Sequence, residues 1–188
     1  QEHLEALVDL ALAAGVAEVC IHPILDGRDT PPQSGAQYMQ RLVEFVRTRP
    51  GCRIATVSGR YYTMDRDKRW DRTALGYHAL VHGQGPHCSD PVACIQASYA
   101  QGVGDEFVVP QVVVDEKDVP VGPIRDGDGV FLFNFRADRV RQLVQALHAR
   151  TFSEFDRGVV PHLATMATMT VYDATFDLPT AFAPQHLE

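Results

Sequence analysis

VFLFNFRADRVRQLVQAL, residues 130–147, decides the fold. Its first six residues are a nearly unbroken apolar run, the pattern of a strand buried on both faces. Val140, Leu143, Val144 and Leu147 then recur at helical spacing and predict a helix with one apolar face. A fully apolar strand that feeds an amphipathic helix is the building unit of a mainly parallel sheet covered on both sides.

The same alternation runs outward in both directions. Toward the N-terminus, Leu4, Leu7, Val8 and Ala11 mark a helix stopped by Gly15, and residues 16–22 read as a short buried strand. Residues 25–32 are a loop, Tyr38, Leu42, Phe45 and Val46 mark a second helix, and 53–57 a second strand. Ser58-Gly59-Arg60 breaks that strand, and a helix running to about His82 follows the stretch 61–72. Ser89 or Asp90 can cap another helix, with Pro91 in its first turn and Val92, Ile95 and Tyr99 along it. Residues 107–114 and 119–124 predict strands of a more antiparallel section, 126–129 is turn chemistry, and 163–169 is one more strand. The expected fold class is α/β, a three-layer α/β/α sandwich around a mainly parallel (mixed) sheet. In such sheets ligands bind beyond the carboxyl ends of the strands.

A chain of 188 residues fits one domain, here 1–175, with the Pro-spaced stretch 176–188 as a linker leading out of it. The start at Gln1, with a helical pattern under way by Leu4, predicts a domain set into a larger protein. Net charge of −7 argues against a nucleic-acid partner or an anionic membrane surface, where affinity rests on positive charge. No apolar stretch approaches the roughly 20 residues that span a bilayer, and no basic leader precedes a cleavable apolar core. Cys20, Cys52, Cys88 and Cys94 form no CxxC pair or zinc spacing, so they are expected reduced, in a cytoplasmic protein. All but two of the 17 basic residues, Lys68 and Lys117, are arginine, whose planar fork fits phosphate and carboxylate bidentately. A GC-rich genome gives the same bias, so position has to decide.

Three segments at predicted strand ends carry arginine. In Asp26-Gly27-Arg28-Asp29-Thr30-Pro31-Pro32 a stiff turn presents Arg28 beside Asp29, a way to hold an anion next to a proton acceptor; a plain turn with solvated charges is the alternative. Between Arg60 and Arg72, five cations and three aspartates surround the only tryptophan. A solvated face of exposed ion pairs is possible there, but Tyr61, Tyr62 and Trp70 can bury and aim Arg60 and Arg66 one way. In Asn134-Phe135-Arg136-Ala137-Asp138-Arg139 two arginines three apart are expected on the first turn of a helix. Cations there oppose the helix dipole unless an anion lies between them, or unless both pair with Asp138 or a neighbouring carboxylate. His78 and His82 are spaced i, i+4, but without a third ligand they read as packing or surface histidines. GxGxxG, GxxxxGK[ST] and GxSxG are all missing. The pattern is a grip for a small anion, with covalent chemistry supplied elsewhere.

LDGRDTPP (25–32), TVSGRYYTMDRDKRWDR (56–72), FNFRADR (133–139) and the closing YDATFDLP (172–179) resemble the cofactor-independent phosphoglycerate mutases along the length of the chain. The resemblance implies the inserted phosphotransferase, substrate-binding domain of an isomerase that interconverts 3-phosphoglycerate and 2-phosphoglycerate through a phosphoserine. It implies that Arg28, Asp29, Arg60, Arg66, Arg136 and Arg139 contact substrate, with Asp29 orienting or deprotonating a hydroxyl. It places the serine, two Mn2+ ions and their ligands in a phosphatase-like domain outside this chain, and a histidine-bearing segment just before Gln1. The chain alone is then expected to be inactive, and the full enzyme a monomer. Two other readings stay open: a stand-alone binding module for phosphate or a small phosphorylated acid, and a structural domain whose arginines only pair with carboxylates.

Overall fold

Apolar spacing builds the helices close to where the sequence places them. In the computed structural model, which describes residues 1–183, they are α1 (Glu2–Ala13), α2 (Gly35–Arg47), α3 (Arg60–Thr63), α4 (Trp70–His82), α5 (Pro91–Ala100) and α6 (Arg141–His148). Gly15, at φ 91°, turns the chain after α1. Asp90 caps α5 by accepting the N–H groups of Val92 and Ala93, with Pro91 in the first turn.

The strands are shorter than the apolar runs predict: β1 (Val19–Ile21), β2 (Ile24–Leu25), β3 (Cys52–Ile54), β4 (Thr56–Gly59), β5 (His87–Cys88), β6 (Gln111–Val113), β7 (Gly129–Leu132) and β8 (Thr165–Thr168). The expected strand 119–124 contributes only a bridge from Pro120 to Val114 and the bond from Val121 N–H to Val113 O, because Pro120 and Pro123 have no N–H for a ladder. The strand expected over 107–114 is confined to β6, since Phe107 ends a 3₁₀ turn of residues 105–107 and Pro110 has no N–H for a ladder. A further correction bears on the site: the helix expected to open at Arg136 begins at Arg141. Residues 137–139 form a 3₁₀ turn ahead of it, and Val140 is the N-cap.

β1 pairs with β3, β2 with β4, β5 with β6 and β7 with β8, all parallel, and β4 and β6 are antiparallel; the pairing is mainly parallel and mixed as expected, but it falls into three sheets, β1-β3, β2-β4-β6-β5 and β7-β8. Ile21 stands opposite Ile54, yet Ile24 stands opposite Ser58. Three steps on one course therefore match four on the other, a bulge near Ala55. Its result is that Leu25 and Gly59 finish side by side, and the loops after them leave the sheet together.

Helices cover both faces. Val8, Met39, Leu42 and Ile95 of α1, α2 and α5 pack on Ile21, Ile54, Val57 and Val113. Tyr77, Leu80, Val144 and Leu147 of α4 and α6 pack with Ile124 and Met166. Val112 meets Ala79 of α4 while its neighbour Val113 joins the opposite core, the alternation of a strand between two layers. This is the three-layer α/β arrangement.

Phe176 and Leu178 lean on the second core, and the N–H groups of Ala181 and Phe182 bond Thr168 O and Met169 O. The stretch expected to be a linker thus begins against β8; its residues 184–188 lie outside those described. No helix among the described residues is long and apolar enough to cross a membrane.

β7 and β8 form their own two-stranded sheet. β1 and β7 share no backbone hydrogen bond among the described residues. Consecutive residues of both, 18–26 and 127–136, line a cleft of about 1680 Å³ that also reaches Asp29, Arg60 and Arg139.

Candidate functional site

The three arginine-bearing segments follow the carboxyl ends of β2, β4 and β7 and meet at one end of the cleft. In the first, Asp26 Oδ1 accepts the N–H groups of Arg28 and Asp29, each at 3.2 Å, and Gly27 N–H donates to Thr30 Oγ1 at 3.2 Å. Gly27 is needed here for two reasons. Its φ is 66°, and a Cβ would lie 2.8 Å from Asp105 Cβ.

Arg60, the first residue of α3, is only 5% exposed. Its Nη1 donates to Asp26 Oδ1 at 2.5 Å and to Asp29 Oδ2 at 3.1 Å. Burial alone would lower its pKa, but the bonds to the two aspartates raise it. Burial likewise pushes the Asp26 carboxyl up, and the Arg60 bond with the N–H groups of Asp29 and Arg28 outweighs that and holds it below the usual range. A carboxyl depressed in the folded state adds stability above its unfolded pKa of about 3.9, and that stability is lost as pH falls through the folded value. Thermal melts from pH 7 to pH 2 should therefore show an acid limb below about pH 4 that Asp26→Asn makes shallower.

Asp29 is the junction of the site. Arg136 Nη1, 107 residues along the chain, donates to the same Asp29 Oδ2 at 3.3 Å. Asp138 makes a second junction, accepting Arg66 Nη1 at 2.6 Å with Arg136 Nε at 4.0 Å. The Arg66 bond, more than any other contact, holds the Asp138 carboxyl below its ordinary value. Arg139 has no carboxylate within ion-pair distance among the described residues, and its buried Nε has no partner. Burial, then the charges of Arg60 and Arg66, lower its pKa. Arg60 Nε is also buried and unpartnered. Four guanidinium groups share three carboxylates, Asp26, Asp29 and Asp138, so the cluster carries surplus positive charge that a small anion would balance.

Arg60, Arg66, Arg136, Arg139 and Asp29 are thus brought together, and Arg28 is not. Its side chain is 63% exposed and stands 3.6 Å from Glu106. The carboxylate alternative raised by the sequence for Arg136 and Arg139 is realised for Arg136, beside Asp29 and Asp138, but not for Arg139. Because Arg136 precedes a 3₁₀ turn and Arg139 ends it, with neither riding on α6, crowding of like charges replaces the helix dipole as the conflict that an anion would relieve.

Aromatic packing fixes the second segment, as its composition predicts. Tyr61 lies 5.1 Å from Phe107, the Arg72 guanidinium stacks 3.8 Å over Tyr61, and Trp70 lies 5.5 Å from Phe152. Sequence reasoning missed the polar scaffold beneath. Buried Asp65 accepts the N–H groups of Asp67 and Arg69 and Gln142 Nε2, while Gln142 Oε1 accepts Lys68 N–H at 2.8 Å. Gln142 thereby ties the loop to α6; the available signal was a glutamine beside the apolar stripe. His82 Nε2 bonds Arg157 O at 2.7 Å and His78 packs against Phe155, so both are packing residues. Among the described residues no three His, Cys, Asp or Glu side chains stand where they could hold a metal ion.

The model of one protein family, described as BPG-independent PGAM N-terminus (iPGM_N), matches residues 1–174. The 2,3-bisphosphoglycerate-independent phosphoglycerate mutase of Nitratidesulfovibrio vulgaris is 54% identical over 186 residues, 99% of this chain. That of Myxococcus xanthus is 52% identical over 97% of the chain. The chain spans about 36% of the length of each. Phosphoglycerate mutase of Leishmania mexicana, in a crystal structure at low cobalt concentration, superposes with a TM-score of 0.88 at 32% identity, over 92% of this chain and 33% of that one.

Proposed function

Given that the chain belongs to the BPG-independent PGAM N-terminus family, we propose that it is the substrate-gripping part of a glycolytic, cytoplasmic isomerase that interconverts 3-phosphoglycerate and 2-phosphoglycerate. The observation that carries this reading is the convergence of Arg60, Arg66, Arg136 and Arg139 from three segments onto only three carboxylates, with Arg139 left without an ion pair among the described residues.

On this reading Arg60, Arg66, Arg136 and Arg139 hold the carboxylate and phosphate of the substrate, and Arg28 swings from Glu106 to join them. Asp29, between Arg60 and Arg136, keeps the forks in place until substrate arrives. The substrate's own anionic groups then compete for those forks, and Asp29 turns to a glycerate hydroxyl as orienting group or proton acceptor. The phosphoryl group leaves the 3-hydroxyl for a serine outside this chain. Glycerate, still gripped by the arginines, reorients and takes it back on the 2-hydroxyl. Two manganese ions also belong outside this chain, where they would supply Lewis-acid chemistry. The full enzyme works as a monomer through its own phosphatase-like domain, and residues 176–188 lead back to it.

Calorimetric titration of the chain with 3-phosphoglycerate at low salt tests the grip. The expected affinity is weak, on the order of millimolar or about −4 kcal/mol, because half of the clamp lies outside the chain. Inorganic phosphate should bind more weakly still, lacking a carboxylate. No heat with either ligand, in a sample that melts cooperatively, would leave only the ion-pairing reading.

A further inference from the structure

Helix α2 starts directly after the loop that bears Arg28 and Asp29, and its N-cap residue does not cap it: Ser34 Oγ donates back to Pro31 O at 2.9 Å. The first amides are satisfied from far along the chain. Ser34 N–H and Gly35 N–H donate to Asp105 Oδ2 at 3.0 and 2.7 Å. Ala36 N–H donates to the Tyr99 hydroxyl at 3.1 Å, and that hydroxyl donates in turn to Asp105 Oδ1. Burial and the bond to Asp105 push the Tyr99 phenol up to about 12, so it stays a donor at neutral pH. Asp105 is 1% exposed. Among the described residues no other helix begins on an acid borrowed from a distant turn.

Asp105 also reaches the neighbouring loop. Its own N–H bonds Pro32 O at 2.8 Å. A Cβ on Gly35 would lie 2.6 Å from Asp105 Oδ1, one on Gly27 2.8 Å from Asp105 Cβ, and one on Gly59 2.6 Å from Asp105 O. Gly27 and Gly59 at the two site loops, with Gly35 at the start of α2, therefore abut the turn formed by Asp105 and Glu106. Gly59 N–H bonds Val108 O at 2.7 Å, which holds the end of β4 on the same turn just before Arg60.

We infer that Asp105 is a positioning residue of this site, a buried acid that fixes the loops carrying Arg28, Asp29 and Arg60 without bonding to any of the three. The inference rests on the function proposed above. With three donors on one carboxylate, the start of α2 and the loop before it take a single position. Without it, Asp29 loses its fixed place between Arg60 and Arg136, and a misplacement of about 1 Å at such a group costs on the order of 100-fold in rate.

The test compares wild type, Asp105→Ala, Asp105→Asn and Tyr99→Phe in the full-length enzyme, below the melting temperature of each. Asp105→Ala should lower kcat about 10- to 100-fold, more than it raises KM, with amide exchange accelerated at Ser34 and Gly35 while Val57 and Ile95 stay protected. Asp105→Asn still accepts those two amides and should recover most of the loss. If Asp105→Ala does not fold, Tyr99→Phe decides: it should lower kcat several-fold, and wild-type kcat with faster exchange at Ala36 overturns the inference. Asp105→Ala that folds with wild-type kcat overturns it as well. A wild-type enzyme that does not interconvert the phosphoglycerates at all overturns the functional reading, and that result is read before any variant is compared.

Discussion

Arg139→Gln in the full-length enzyme should lower kcat/KM by about 10²- to 10⁴-fold while its melting temperature stays the same or rises. Arg139 is the member of the cluster that the folded protein around it serves least. It has no carboxylate partner among the described residues, a buried unpartnered Nε, and a pKa lowered first by burial and then by Arg60 and Arg66. Deleting that charge relieves desolvation and repulsion, so the fold does not suffer. Substrate loses two charge-assisted bonds of about 1.5–3 kcal/mol each, and about 1.4 kcal/mol is a factor of ten. Arg60→Ala is the contrasting control, because Arg60 is paired with Asp26 and Asp29 and its loss should lower stability and activity together. Kinetics and a melt on the same preparation decide it. An Arg139→Gln enzyme with wild-type kcat/KM would falsify the assignment of that guanidinium to substrate.

Asp29→Asn should separate kcat from KM. An acid–base group contributes about 10²- to 10⁴-fold, so kcat should fall by that order when the carboxylate becomes an amide of equal size. KM should hold or drop, because the variant takes one negative charge out of a pocket built for an anion and releases the forks of Arg60 and Arg136. Stability should change little, since the Asp29 side chain is 61% exposed and its pairs are screened by solvent. Steady-state rates in both directions give the two constants. A rise in KM at unchanged kcat would show Asp29 to be a binding scaffold only.

Much of this was legible in the sequence because it depends on periodicity. Val140, Leu143, Val144 and Leu147 face the core as their spacing demands, and Val57 and Val113 lie where an apolar strand between two helical layers must lie. The rule that ligands gather beyond strand carboxyl ends then suffices to put Asp29, Arg60 and Arg136 within reach of one another. What periodicity does not carry was lost. The bulge near Ala55 is one residue of register, and nothing in Arg53-Ile54-Ala55-Thr56-Val57 marks where it falls. Prolines 120 and 123 erased a strand whose side chains looked suitable. The late start of α6 depends on backbone angles at Arg136 and Val140, which residue identity does not fix. Arg28 adjoins Asp29 in sequence, yet neighbouring side chains in a turn diverge, and here it stands beside Glu106. Asp105 was hidden by its neighbour: next to Glu106 it resembles one more solvated acid, and its only trace was three glycines at 27, 35 and 59 with no common spacing.

The double contact of Asp29 makes the geometry of the site sensitive to ionic strength. Its Oδ2 joins Arg60 and Arg136 by ion pairs on a side chain that is 61% exposed, and added salt screens such pairs over about 10 Å or less. Arg60 keeps its place through Asp26 as well, so Arg136 is the guanidinium that loosens first.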